Sequence, residues 1–162
     1  MDSLNGFQSG IWGPAAWLFL HCITLNYEPS KHNKDAFFQF FKNVQFVLPC
    51  GTCRDNYVTV IQSDCLKLTV DVFKSRESLS KWLFHVHNHI NIKTNKKLRF
   101  ENNLKGYKEM RQFYEQFRAK CSVGKNEIGC TKAMHKGKKM RCVLVLKPGR
   151  SKCKSLRMKK SK

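Results

Sequence analysis

The sequence Leu48-Pro49-Cys50-Gly51-Thr52-Cys53 places two thiols two residues apart, directly after a proline that ends the preceding apolar segment. A new helix is therefore predicted to begin at the cysteine pair and to run to about Gln62. The unpaired N–H groups of its first turn favour a thiolate, so we expect a lowered pKa at Cys50. A redox disulfide, half of a zinc site and two inert buried thiols all fit this spacing, and only the rest of the chain can distinguish them.

The composition indicates one domain with a basic extension. The chain has 162 residues, a hydrophobic content of 41% and twelve Phe, which is enough for one substantial core. Its formal net charge is +20, and residues 125–162 hold 14 Lys or Arg against the single acid Glu127. We therefore predict a domain at 1–120 and a Cys-containing, Lys/Arg-rich extension at 121–162 that is partly disordered. Such an extension attracts polyanions such as nucleic acids without specificity, and a solvated segment with no partner fits equally well.

The sequence also carries signals of location. It has no apolar run of 18 or more residues, which predicts that no segment spans a membrane. The residues from Met1 to Asn5 lack the basic and apolar regions of a signal peptide, so a cytoplasmic location is expected. Eight Cys are unusual there, because glutathione keeps ordinary thiols reduced. The cysteines are therefore expected either to bind metal or to belong to a protein that makes disulfides itself.

Hydrophobic periodicity predicts an all-α fold of four or five helices. The first helix is predicted to open at Gly13-Pro14, because proline is tolerated where its missing N–H is not needed. The other predicted elements are a second helix over about 34–47 with Asn33 as its N-cap, a fourth helix capped by Ser75 or Ser78, a fifth helix over about 104–120, and a strand or irregular connection over 64–77.

Three histidines, His85, His87 and His89, alternate with other residues and could be read as zinc ligands. Alternate residues of a helix lie about 200° apart, so His87 points away from the other two and the three do not meet at one metal. His87 instead shares its region with Asn88 and Asn91, one and a half turns after Trp82. An aromatic plane beside amide and imidazole groups suits a planar heteroaromatic ligand, and polar residues on a solvated helix face fit the same pattern.

Three motifs in order resemble the Erv/ALR family of FAD-linked sulfhydryl oxidases over roughly residues 7 to 100. They are Trp12-Gly13-Pro14-Ala15-Ala16-Trp17-Leu18-Phe19-Leu20-His21, Leu48-Pro49-Cys50-Gly51-Thr52-Cys53, and Trp82 with His87-Asn88, Asn91 and Lys96. The resemblance implies a four-helix bundle with a short fifth helix around FAD. It further implies an enzyme that forms disulfides in protein thiols, with dioxygen as the electron acceptor and hydrogen peroxide as the product.

The resemblance also implies a role for individual residues. Cys50 and Cys53 are the catalytic pair, with Cys53 next to the flavin and Cys50 meeting the substrate. Trp82 either stacks near the adenine or packs its helix. The expected cofactor-binding residues are Trp12, Gly13, Trp17, His21, Tyr27, Trp82, His87, Asn88, Asn91 and Lys96.

The chain departs from the family pattern at two positions. Pro14 stands where an arginine is often found, which removes one candidate cofactor ligand, and Phe84 stands where many cellular members carry a cysteine of a structural disulfide. Viral members tolerate such losses. The compact, basic form resembles a member from a large cytoplasmic DNA virus, with a location in the host cytoplasm and the virion. The family also suggests a homodimer, and substrates that include virion proteins or a thioredoxin-like intermediary.

The extension contains cysteines of its own, Cys121, Cys130, Cys142 and Cys153. Cys121 and Cys130 are the candidate shuttle disulfide that passes electrons from substrate to the Cys-x-x-Cys pair, as relatives suggest. A structural disulfide, a zinc site of all four cysteines and free thiols are the alternatives. The competing function is accordingly a zinc-bound, basic nucleic-acid-binding protein.

Overall fold

The computed structural model describes residues 5–120, residue 130, and the ranges 132–135, 140–143 and 157–160. Within them, the α-helices span Ser9–Leu25 (α1), Lys31–Val47 (α2), Gly51–Gln62 (α3), Arg76–Lys93 (α4) and Leu104–Glu115 (α5). The connection between α3 and α4 is irregular apart from a 3-10 turn at Val70–Phe73. The predicted all-α bundle with a short fifth helix is confirmed. None of the described helices is long and apolar enough to cross a membrane.

The start of α1 was predicted wrongly. The helix begins at Ser9, and Pro14 lies inside it. Pro14 removes only one hydrogen bond of the second turn. The turn before Pro14 has a further hydrogen bond that does not involve the proline: Trp12 Nε1 donates to the carbonyl of Phe7 at 3.1 Å.

The other helix ends follow from their caps. Ser30, not Asn33, caps α2, since its Oγ accepts from the Asn33 N–H at 3.1 Å. Ser75 caps α4 as predicted, and Ser78 completes a reciprocal capping box. The fifth helix is shorter than predicted: it ends at Glu115, because Arg118 folds back and donates to the Leu25 carbonyl at 2.6 Å.

The main core lies between α1, α2, α3, α4 and the 3-10 turn. Its largest fully buried side chains include Tyr27, Phe41, Phe73 and Leu83. Each large apolar side chain that is removed from water contributes about 1.5–3 kcal/mol. A smaller cluster fixes α5 against α1 and α4; it consists of Leu25, Phe84, Tyr107 and Met110. The two clusters together position the helices around the site described below.

Two short antiparallel ladders follow α5. Ala119–Lys120 (β1) pairs with Lys132–Ala133 (β2), and Met140–Val143 (β3) pairs with Arg157–Lys160 (β4). The division into a domain at 1–120 and an extension at 121–162 stays a prediction, as does disorder in the extension, most of which lies outside the described residues.

Candidate functional site

The cysteine pair forms a disulfide at the start of α3. Cys50 is the N-cap and Cys53 the third residue of the helix, with Cα atoms 5.1 Å apart. The backbone N–H of Cys53 donates to Cys50 Sγ at 3.3 Å. After reduction, this N–H and the positive end of the helix dipole stabilise a thiolate at Cys50. The predicted helix start at the pair is confirmed.

The loop before the disulfide is held from two sides. Arg54 donates to the carbonyl of Leu48 at 2.9 Å, and the N–H of Phe7 donates to the carbonyl of Pro49 at 2.8 Å. Gly6 packs so closely against this loop that a Cβ atom would overlap the Pro49 carbonyl oxygen. The cysteine pair therefore sits on a fixed loop, with residues 6–7 lying against it.

Three exposed apolar residues adjoin this loop along the chain or through a backbone hydrogen bond, and we call them the apolar collar. Phe7 is 77% exposed, Phe46 is 69% exposed and Val47 is 73% exposed. Phe7 is hydrogen-bonded to Pro49, and Phe46 and Val47 end α2 just before the loop. The collar residues therefore adjoin the loop that carries Cys50.

A cavity of about 370 Å³ lies between α1, α3, α4 and α5. Cys53 and Asn56 line it from α3, whereas Cys50 is not among its lining residues. Cys53 thus belongs to the cavity wall, whereas Cys50 lies in the loop that the collar residues adjoin. The two cysteines of the pair have unequal surroundings.

Aromatic rings form much of the cavity wall. The rings of Trp17 and His87 are stacked with centroids 3.9 Å apart and an angle of 7° between their planes. His21 stacks on Tyr114 of α5 at 5.0 Å. Walls of this kind accommodate a flat ring system.

The two histidines in this wall are hydrogen-bonded to each other. Nε2 of His21 and Nδ1 of His87 are 3.0 Å apart. Burial, helped by nearby positive charges, lowers the pKa of each to about 3 from the usual 6.5, so both rings are neutral at pH 7. The other nitrogen of His21, Nδ1, is buried and has no hydrogen-bond partner among the described residues.

The rim of the cavity is positively charged. Lys96, Lys97 and Arg99 line it, and no Asp or Glu is found among its described lining residues. A flat wall, an unpaired buried nitrogen and an uncompensated positive rim together suit a planar ligand that carries negative charge.

The structure brings together eight of the ten residues predicted to bind a cofactor. Those that line the cavity are Trp12, Gly13, Trp17, His21, His87, Asn88, Asn91 and Lys96. Tyr27 and Trp82 lie elsewhere. Tyr27 is 1% exposed and donates from its hydroxyl to the Phe73 carbonyl at 2.7 Å, and Trp82 Nε1 donates to the Leu66 carbonyl at 2.9 Å. Both side chains are part of the main core, so the interpretation of Trp82 as a packing residue is the one that the structure favours.

Other lining residues were missed in the sequence. They are chiefly Asn56, Arg99, Phe100, Phe113 and Tyr114. The sequence predicts the fifth helix but assigns no site role to its aromatic residues or to the connection that precedes it. The run of cations from Lys96 to Arg99, directly after the Asn91 motif, was the available signal.

No metal centre is present among the described residues, since they contain no group of three or more His, Cys, Asp or Glu that could hold an ion. His85 interacts instead with Asn102, through Nδ1 at 3.1 Å. In the extension, Cys130 is disulfide-bonded. A disulfide-bonded Cys130 is not a zinc ligand, so the zinc site of all four cysteines and the zinc-bound alternative are not supported. Cys121 lies outside the described residues, so the shuttle stays a prediction.

Fold and site together define a helical bundle with a disulfide at one wall of a cavity for a flat, anionic ligand. The Erv1 / Alr family model matches residues 14–118, and the chain belongs to this family.

Viral proteins are among its relatives. A probable FAD-linked sulfhydryl oxidase of Acanthamoeba polyphaga mimivirus is 39% identical over 89 residues, which are 54% of this chain and 61% of that protein. A putative FAD-linked sulfhydryl oxidase of Invertebrate iridescent virus 3 is 32% identical over 88 residues, 53% of this chain and 57% of the relative. The chain thus spans about three fifths of the length of these two relatives.

The fold is similar to a solved structure. The crystal structure of the yeast Erv1 core aligns with a TM-score of 0.52 at 22% identity, covering 72% of this chain and 87% of that one. At this identity, the likeness concerns the fold alone.

Proposed function

We propose that the chain is an FAD-dependent sulfhydryl oxidase, which forms disulfides in protein thiols and uses dioxygen as the acceptor, with hydrogen peroxide as the product. The observation that carries the proposal is the unequal placement of the disulfide, with Cys53 in the cavity wall and Cys50 outside it. The relatives named FAD-linked sulfhydryl oxidases support the same activity.

The residues of the cavity fit FAD. The stacked Trp17 and His87 offer a surface for a flat ring, and the unpaired Nδ1 of His21 offers a polar atom. The uncompensated cations of the rim suit a diphosphate. Trp12, Gly13, Asn88, Asn91 and Lys96 are the other predicted ligands that line the cavity. FAD, when bound, supplies an acceptor for an electron pair and the reactivity that passes this pair to dioxygen.

The chemistry of the cysteines follows from their placement. A substrate thiolate attacks Cys50 Sγ, forms a mixed disulfide and releases Cys53 as a thiolate. A second substrate thiolate attacks the substrate sulfur of that mixed disulfide, and the substrate leaves as a disulfide while Cys50 leaves as a thiolate. The substrate has lost two electrons, and the pair Cys50 and Cys53 has gained them. Both sulfurs are then near the first turn of α3, whose N–H groups stabilise thiolates.

The substrates in this proposal are proteins with accessible thiols, including virion proteins or a thioredoxin-like intermediary. The apolar collar supports protein substrates, because exposed Phe7 and Phe46, which adjoin the loop of Cys50, offer contact area to a polypeptide. The proposal includes Cys121 and Cys130 as the shuttle disulfide; Cys130 is disulfide-bonded, which a structural disulfide requires equally.

We also propose a homodimer and a location in the host cytoplasm and the virion. Phe19 of α1 and Phe40 of α2 are 56% and 39% exposed and contact each other edge to face, which supports an apolar interface at these helices. The viral relatives support the location. The charge of the extension supports binding of polyanions without specificity.

The proposal is tested by purifying the full chain and measuring its absorbance and its oxygen consumption with dithiothreitol. We expect a yellow protein with a flavin band near about 450 nm and dithiol-dependent oxygen uptake. Cys50→Ser and Cys53→Ser should remain yellow and lose at least about 100-fold in rate, since neither can form the disulfide. Cys22→Ser and Cys65→Ser are matched controls, because both are free, exposed cysteines. Colourless protein with stoichiometric zinc, or full turnover in either mutant of the pair, would contradict the proposal.

The order of the two cysteines has its own test. Cys53→Ser retains Cys50, which should be captured as a mixed disulfide by a thiol-reactive substrate analogue and seen on a non-reducing gel. Of the pair, Cys50→Ser retains only Cys53, in the cavity wall, and should be captured much more slowly when both variants also carry Cys22→Ser and Cys65→Ser. Equal capture by the two variants would show that the order is wrong.

A further inference from the structure

Arg99 is a cation of the cavity that the sequence motifs did not assign. It lies in the connection between α4 and α5 and lines the cavity together with Lys96 and Lys97. Its guanidinium carbon is 4.0 Å from the centre of the Phe113 ring and 5.5 Å from that of Phe100. Arg99 is therefore held against α5 by the Phe113 ring, with the Phe100 ring of its own connection close by.

The stacked position leaves the hydrogen-bond donors of Arg99 available. A guanidinium that packs its face on a ring keeps its N–H groups at the edge, and their forked geometry matches a phosphate. Within the described part of the chain, no carboxylate forms an ion pair with Arg99. Lys96 and Lys97 add charge, but a lysine is a point charge on a long stem and is not fixed in this way.

The positive charge of Arg99 influences the pKa of three other residues of the cavity wall. Burial is the largest influence on the pKa of His21, His87 and Tyr114, and the positive charge of Arg99 lowers the pKa of all three. Three wall residues from three different helices thus face this cation.

Arg99 and Cys53 line the cavity from different elements of the fold. Cys53 belongs to α3, which packs against α2 and α4, whereas Arg99 lies on the Phe113 ring of α5, which packs against α1. The acceptor of electrons from the cysteine pair has to lie beside Cys53, and the forked donors of Arg99, which come from another element of the cavity wall, match the phosphates of the same ligand.

We propose that Arg99 binds the diphosphate of FAD and that Phe113 is the positioning residue that holds its guanidinium. This assignment rests on the proposed function.

The test compares FAD with riboflavin, which has the same ring and no phosphate, as ligands of the full chain. Arg99→Gln should weaken FAD binding by at least about tenfold, since it removes a charge-assisted hydrogen bond, and should leave riboflavin binding unchanged within about twofold. It should also make FAD binding less dependent on salt. Arg99→Lys should fall between the two, and Phe113→Leu should weaken FAD binding in the same selective way.

Arg111→Gln is the matched control, since Arg111 lies on α5 but does not line this cavity; it should bind both ligands like the wild type. Circular dichroism and thermal unfolding show whether each variant is folded. If Arg99→Gln does not fold, the comparison of FAD with riboflavin is made with Arg99→Lys. Equal losses for FAD and riboflavin would place Arg99 at the ring and overturn the proposal, as would unchanged binding of both. If the wild type binds FAD and oxidises thiols in either case, only the role of Arg99 has failed; a wild type that binds no FAD contradicts the proposed function itself.

Discussion

Nε2 of His21 and Nδ1 of His87 share a hydrogen bond of 3.0 Å that joins α1 to α4 in the wall of the cavity. The rings come from two separate sequence motifs, and each also stacks on an aromatic partner, Tyr114 for His21 and Trp17 for His87. Burial keeps both rings neutral by lowering the pKa of each to about 3. The pair is therefore a structural link between the helices as well as part of the site.

The burial of the two histidines makes the free energy of unfolding depend on pH. In the unfolded chain the histidines take up protons below about pH 6.5, whereas in the folded protein they do so only near pH 3. The unfolded state then binds more protons, so the free energy of unfolding falls as the pH is lowered from about 6.5 toward 3, by up to about 1.4 kcal/mol per pH unit for each histidine. Urea unfolding at pH 7 and pH 5 should show a smaller drop for His87→Gln than for the wild type. An equal drop in both would contradict a neutral His87 in the folded protein.

A substitution at Tyr27 distinguishes a role in the packing of the core from a role in cofactor binding. Its hydroxyl donates to the buried Phe73 carbonyl at 2.7 Å. Tyr27→Phe leaves that carbonyl without this donor and should lower the free energy of unfolding by about 1–3 kcal/mol. FAD affinity should stay within about twofold, because the lost hydrogen bond does not touch the cavity. Unfolding in urea and titration with FAD measure the two effects separately. Weaker FAD binding at unchanged stability would restore the role that the sequence motif predicts.

Tyr27 and Arg99 show two opposite differences between the sequence motifs and the structure. The motifs assign Tyr27 to the cofactor site although its side chain packs in the core, and they leave out Arg99 although it lines the cavity. The spacing of His87, Asn88 and Asn91 on a single helix fixes their relative positions, so a motif is enough to group them. Tyr27 lies just beyond the end of α1, where the direction of a side chain depends on how the chain turns toward Phe73. Arg99 lies in the connection between α4 and α5 and reaches the Phe113 ring of α5, a tertiary contact that no local periodicity encodes.

The apolar collar predicts a preference among substrates. Phe7→Ser and Phe46→Ser should leave the oxidation of dithiothreitol within about twofold, because a small dithiol needs no extended contact. For a cysteine peptide with apolar flanking residues, we expect KM to rise about fivefold or more, since a lost aromatic contact costs about 1 kcal/mol or more. A peptide with serine at the flanking positions should show no such change.

Leu104→Ser is the control for this prediction, because Leu104 is 59% exposed but lies at the start of α5, away from the disulfide loop in the chain. Leu104→Ser should alter neither the rate of dithiothreitol oxidation nor the KM for either peptide. Collar variants that lose dithiothreitol oxidation to the same extent as peptide oxidation would indicate damage to the disulfide loop and not loss of a substrate contact.

Gly6 and Gly10 offer a matched pair of substitutions near the cysteine loop. A Cβ at Gly6 would overlap the Pro49 carbonyl oxygen and approach Cys50 Cα to 2.9 Å, whereas a Cβ at Gly10 meets nothing within 4 Å. Gly6→Ala should therefore displace residues 6–7, lose the hydrogen bond from Phe7 to Pro49, and lower the free energy of unfolding by about 1–3 kcal/mol. Gly10→Ala lies within α1 and should raise it by about 0.5–1 kcal/mol. Because Gly6→Ala also moves Phe7 away from Cys50, it should reproduce the KM effect of Phe7→Ser on the apolar peptide. A Gly6→Ala protein as stable as the wild type would show that residues 6–7 do not rest on the disulfide loop in solution.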